Sequence, residues 1–202
     1  MTGLELMENA AERSVQVILS MIETTGKTAP VVVVCGRGNN GGDGYAIARM
    51  LHDLDVPVRL LSTGPPRSGS DAETNARVSE RMGIQTVMTY DEIGSASLIV
   101  DALLGTGIDR EVTGENRRLI EAINASSVPV LSIDLPSGLD TDTGQPLGAA
   151  VRATATVTFA GLKIGFLEAE GRAHTGRVHV VDIGIPPVLA RSLALNPPNT
   201  GV

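Results

Sequence analysis

Aromatic residues are nearly absent: among 202 residues there are two Phe, two Tyr and no Trp. A core for a chain of this size must then be assembled from Val, Leu, Ile, Ala and Met. Cysteine occurs once, at Cys35, which excludes an internal disulfide. Its place at the end of an apolar run reads as a small core residue rather than a reactive thiol. Basic charge is in deficit, with 16 Lys and Arg against 23 Asp and Glu and a net charge of -7. A nucleic-acid binder needs a basic face against backbone phosphates, so that class is disfavoured. No apolar run approaches the roughly 20 residues of a membrane helix. The start, MTGLELMENAAERS, lacks the basic and apolar regions of a secretion signal. The expectation is a cytoplasmic, reducing setting with neither nucleic acid nor membrane as partner. His52, His174 and His179 are the only histidines, and none has metal-ligand spacing.

Glycine, by contrast, is abundant, with 23 residues. Many fall between apolar runs and helical patterns, as tight strand-to-helix turns require. Residues 4–23 carry an apolar face at helical period through Leu6, Ala10, Val17 and Met21. VVVVC, ending at Cys35, is apolar without alternation, the signature of a strand buried on both faces. Strands are expected at 58–61, 98–103, 128–133, 154–159 and 177–181, and helices at 43–54, 71–82 and 115–125. Alternating strands and helices imply right-handed βαβ units and a mostly parallel sheet. The fold expected is a single Rossmann-like three-layer α/β/α sandwich. Residues 186–202, with four prolines, read as a surface tail or a linker stub.

Three polar clusters fall at expected strand ends, where open α/β sheets bind ligands. GRGNNGGDG, Gly36 to Gly44, places Gly36, Gly38 and Gly41 in a G-x-G-x-x-G pattern between a strand and a helix. Backbone N–H groups there can approach a phosphate. The pattern alone is weak, and a turn capped by Asp43 is the plainer alternative. The usual dinucleotide site also has an acid at the end of the second strand. Here that end is LLSTG, with Ser62 and Thr63, which disfavours a standard NAD-dependent oxidoreductase. VDALLGTGIDRE places Asp101 at the cleft, followed by Gly105, Thr106 and Gly107, with Asp109, Arg110 and Glu111 as ligand contacts or plain surface charges. An Asp101 that only bonds loop N–H groups is the alternative. IDLPSG places Asp134 as a general acid/base, against an Asx-type turn residue. Asn40, Asp101 and Ser137 together offer amide, carboxylate and hydroxyl oxygens suited to a hard cation.

With these residues in place the chain resembles the NAD(P)HX epimerases, the YjeF N-terminal domain family. The matching stretches are LMENA from Leu6, GRGNNGGDGYAIARML from Gly36, VDALLGTG from Val100 and SIDLPSGLDTDTG from Ser132. TFAGLKIGF from Thr158 and VDIGIP from Val181 complete the order. The resemblance implies an isomerase that interconverts the R and S hydrates of NADH and NADPH. It implies substrate contacts from Asn39, Asn40, Gly41, Gly42 and Asp43, from Gly105, Thr106, Gly107, Ile108, Asp109, Arg110 and Glu111, and from Asp134. It also implies potassium at Asn40, Asp101 and Ser137, a homodimer, and coupling to an ADP- or ATP-dependent dehydratase that acts on one epimer. Asp134 is the expected acid/base, and Lys163 is either its charge partner or a solvated surface lysine. Only five residues precede Leu6, fewer than the family usually carries, and Arg37 stands where it often has proline. At a backbone turn that exchange is expected to matter little. The competing class is a non-catalytic nucleotide- or protein-binding module of the same fold.

Overall fold

The computed structural model describes residues 1–25, 28–87 and 89–185. The chain opens with α1 (Gly3–Thr25), β1 (Val31–Cys35), α2 (Asn39–Asp53), β2 (Val58–Ser62) and α3 (Asp71–Arg81). A two-residue β3 (Thr86–Val87) and a short α4 (Asp91–Ser95) lead to β4 (Leu98–Ala102), α5 (Gly114–Ala125) and β5 (Val130–Ile133). After a long loop come β6 (Ala155–Phe159), a 3-10 turn (Ile164–Leu167), α6 (Ala169–Thr175) and β7 (Arg177–Val181).

Among the described residues seven strands form one sheet in the order β3-β2-β1-β4-β5-β6-β7, and every neighbouring pair is parallel. The chain winds outward from β1 to β3, then returns to place β4 on the other side of β1. That reversal between β1 and β4 opens a crevice at their carboxyl ends. Side chains alternate across the sheet. Val31, Val33 and Cys35 pack towards α1 and α2, whereas Val32 and Val34 pack towards α5. Both faces of the central strands are therefore covered, and VVVVC is buried throughout. This is the expected three-layer sandwich.

The differences lie at short elements and one boundary. β3, α4, the 3-10 turn and α6 are too short to show a period, and the sequence reading passed over them. Helix α2 begins at Asn39 rather than Asp43, with Gly38 as its N-cap and no side-chain cap. Asp43 therefore lies inside the helix and does not cap it. The tail 186–202 lies outside the described residues. Among those residues no helix is long and apolar enough to cross a membrane.

Candidate functional site

The glycines of the first loop answer first to packing. A Cβ on Gly36 would stand 1.8 Å from the carbonyl oxygen of Leu103, and one on Gly41 would stand 1.9 Å from that of Gly36. Neither position tolerates any side chain. Gly44 lets α2 lie directly on Cys35 and Ala102 of the sheet. The close fit aims the first turn of α2 at the end of the crevice. The leading N–H groups of a helix have no intrahelical partner and attract anions. Burial pushes the Cys35 thiol well above its ordinary range, as befits a core residue.

Beneath this turn lies a closed polar node. Asp101, fully buried at the end of β4, accepts bonds from Ser132 Oγ at 2.8 Å and from the Ser137 N–H at 2.9 Å. It also accepts from Ser137 Oγ at 2.5 Å and from the Leu103 N–H at 3.3 Å. Burial raises its pKa, and the bonds from Ser137, Ser132 and Leu103 oppose that rise. The alternative of an acid that bonds loop N–H groups is thus realised in part. Ser137 Oγ in turn accepts the Leu104 N–H at 2.8 Å, and Asn40 Nδ2 donates to the Leu104 carbonyl at 2.8 Å. Asn40 Oδ1, on the same side chain, is buried without a hydrogen-bond partner among the described residues. An orphaned buried oxygen is costly unless something electropositive meets it. The Leu104 backbone joins Asn40 to the Ser137 and Asp101 node, and a free amide oxygen is of the hard type that alkali cations take.

Above the node, a cavity of about 900 Å³ runs across the ends of β2, β1, β4 and β5. Three carboxylates line it, Asp43 from α2, Asp134 from the end of β5 and Glu115 from the start of α5. Asp134 has a left-handed backbone, φ 64°, which turns the chain sharply out of the strand. One of its oxygens pairs with Lys163 Nζ at 2.8 Å, and Lys163 also donates to the Phe159 carbonyl at 3.2 Å. Lys163 is therefore the charge partner and not a solvated lysine. Among the described residues Asp43 has no ion pair of this kind. Burial, and then the nearby charge of Asp134, push its pKa well above the ordinary carboxylate range.

Of the residues singled out from sequence, Asn39, Asn40, Asp43, Gly105, Thr106, Gly107, Ile108 and Asp134 line this cavity. Gly41 and Gly42 do not, because they face Gly36 and the Met7 and Ala72 side chains. Nor do Asp109, Arg110 and Glu111. These three are exposed beyond the loop, and Glu111 pairs with Arg117 at 3.7 Å. Asp101 and Ser137 lie below the lining, in the node. No histidine lines the cavity. Arg37, Thr63, Arg67 and Ser70 do, at the β2 end, and so do Thr113, Glu115 and Asn116 near the start of α5. Sequence reasoning passed over Arg67, Ser70, Glu115 and Asn116. Their only signal was a position just after a strand or at the start of a helix.

A doubly wound parallel sheet with a polar cavity at its switch point defines a ligand-binding α/β domain. The chain belongs to the family described as YjeF-related protein N-terminus, whose family model matches residues 3–165. It is similar to proteins named NAD(P)H-hydrate epimerase. One, from Limosilactobacillus reuteri (strain ATCC 55730 / SD2112), is 43% identical over 89% of this chain and 84% of its own. The Oenococcus oeni relative is 40% identical over 89% and 85%, and the Rhodopirellula baltica relative is 35% identical over 96% and 81%. The crystal structure of yeast ynu0 shares the fold with a TM-score of 0.81. It is 20% identical, with 95% of this chain and 84% of that one covered.

Proposed function

We propose that the chain is an NAD(P)H-hydrate epimerase, an isomerase that exchanges the R and S hydrates of NADH and NADPH. The observation that carries this reading is Asp134: a carboxylate on the cavity wall, oriented by Lys163, facing the same space as the first turn of α2. The name NAD(P)H-hydrate epimerase, shared by the similar proteins, supports it.

The chemistry fits the residues. The hydrate carries its hydroxyl on a carbon beside the ring nitrogen. The nitrogen lone pair expels that hydroxyl as water once it is protonated, leaving a planar, iminium-like carbon. Water adds to either face and loses a proton, so atoms and charge balance without an oxidant. Asp134 gives the first proton and takes the second. Lys163 fixes one carboxylate oxygen and leaves the other towards the cavity. The α2 N-terminus and the N–H groups of Gly105 and Gly107 hold the diphosphate. Asn40, Asp101 and Ser137 would hold potassium, a choice supported by the unpartnered Asn40 Oδ1. Bound there, the ion would supply positive charge that orders the loops and screens the diphosphate.

The same reading includes a homodimer, a reducing cytoplasmic setting, and functional coupling to an ADP- or ATP-dependent dehydratase that consumes one epimer. The test is to mix the protein with each purified hydrate in potassium buffer and follow the epimer ratio by NMR. Accelerated exchange is expected. A folded protein that binds the hydrates yet leaves the ratio at the buffer rate is instead a binding module.

A further inference from the structure

The cavity is electrically polarised. Its carboxylates, Asp43, Asp134 and Glu115, come from α2, the end of β5 and the start of α5. Its cationic side chains, Arg37 and Arg67, stand with Thr63 and Ser70 beyond the end of β2. Arg37 Nε donates to the Pro65 carbonyl at 3.0 Å, which lays the guanidinium along the β2 loop. Among the described residues, neither Arg37 nor Arg67 has an ion pair, and the terminal nitrogens of Arg37 have no protein acceptor. Glu73, in the first turn of α3, is engaged elsewhere: it accepts from the Gly69 N–H at 2.7 Å and from Arg77 at 2.9 Å.

In doubly wound folds the end of the second strand reads the ribose. An acid there takes a 2′-hydroxyl, and an arginine takes a 2′-phosphate. Here the strand ends at Ser62, whose hydroxyl meets Tyr45 Oη at 2.8 Å and donates to the Gly64 carbonyl at 2.9 Å. It is not available to a ribose. Two unpaired guanidiniums remain, and the guanidinium fork matches a phosphate monoester. With the reacting ring at Asp134, the far end of a dinucleotide points towards β2.

We propose that Arg37 and Arg67 form a subsite for the 2′-phosphate of the adenosine half, so that the chain prefers NADPHX to NADHX. This rests on the epimerase reading. Arg37, read from sequence as an inconsequential turn residue, becomes a specificity determinant. Both side chains are exposed, so Arg37→Gln and Arg67→Gln leave the core untouched.

The experiment has two arms. Steady-state exchange should give a KM for NADPHX on the order of tenfold below that for NADHX. In the double variant that ratio should fall towards one. Calorimetry should show adenosine 2′,5′-bisphosphate binding about tenfold tighter than adenosine 5′-phosphate, with the difference lost in the double variant. Equal KM values in the unaltered protein overturn the proposal. So does an equal loss for both substrates, which assigns the arginines to the shared diphosphate. If no hydrate is exchanged but the calorimetric selectivity holds, the subsite stands and the epimerase reading fails.

Discussion

Asp101 and Asp43 are carboxylates on neighbouring elements of one sheet rim, and burial raises the pKa of both. Their surroundings are opposite. Asp101 is ringed by donors from Ser132, Ser137 and Leu103. Asp43 faces the cavity with a second carboxylate, Asp134, as its electrostatic neighbour. The satisfied acid ties β4 to the loops after β4 and β5. The unsatisfied one lies where a ligand can still change its state. Desolvation alone therefore does not separate a carboxylate that holds the fold from one a ligand can reach; the partners do.

Asp101→Ala should break the comparison hardest. It strips the acceptor from the Ser132 and Ser137 hydroxyls and from two loop N–H groups. Each buried donor left unpaired costs about 1–3 kcal/mol. Urea denaturation should show a loss of several such increments and a large fall in midpoint. Lys163→Met should leave that midpoint nearly unchanged but release Asp134. A fall in kcat of about tenfold or more with little change in KM is expected. Lys163→Arg should restore part of it, because the cation rather than the chain length does the orienting.

Asp43→Asn should have the smallest effect on the fold, and its sign follows from linkage. The folded pKa of Asp43 is raised, so the native state holds the proton longer than the unfolded chain. Stability from this group is fully present below the ordinary carboxylate value. It declines as pH rises through the interval up to the raised folded value. Asp43→Asn should flatten the fall in stability measured by denaturation across that interval, while Asp101 keeps part of the slope.

The sheet was legible because its central strands are continuous apolar runs and its long helices carry a clear period. The start of α2 was not. Glycine and asparagine are poor helix formers, so GNNGG reads as loop. Only the contacts of Gly36, Gly41 and Gly44 with distant backbone and side chains reveal why glycine stands there. Asp101, Asp134 and Ser137 could be picked out because Asp101 lies at the end of a strand and the other two follow one. The Asp134–Lys163 pair could not be fixed, since it depends on β5 and β6 lying side by side in register. Arg67 reaches the cavity from a loop whose course no local pattern predicts, and Glu115 from the first turn of α5, whose place beside the crevice is set by the sheet order.

In the proposed reaction Asp134 is the group that moves the proton. The direct measurement starts from one purified epimer of NADPHX and follows the other by NMR, with the unaltered chain and Asp134→Asn side by side in potassium buffer. The unaltered chain should bring the epimers rapidly to equilibrium. Asp134→Asn should be slower by on the order of 10²–10⁴-fold, with the same melting temperature within a few degrees. Exchange by the variant at near the unaltered rate would contradict the account.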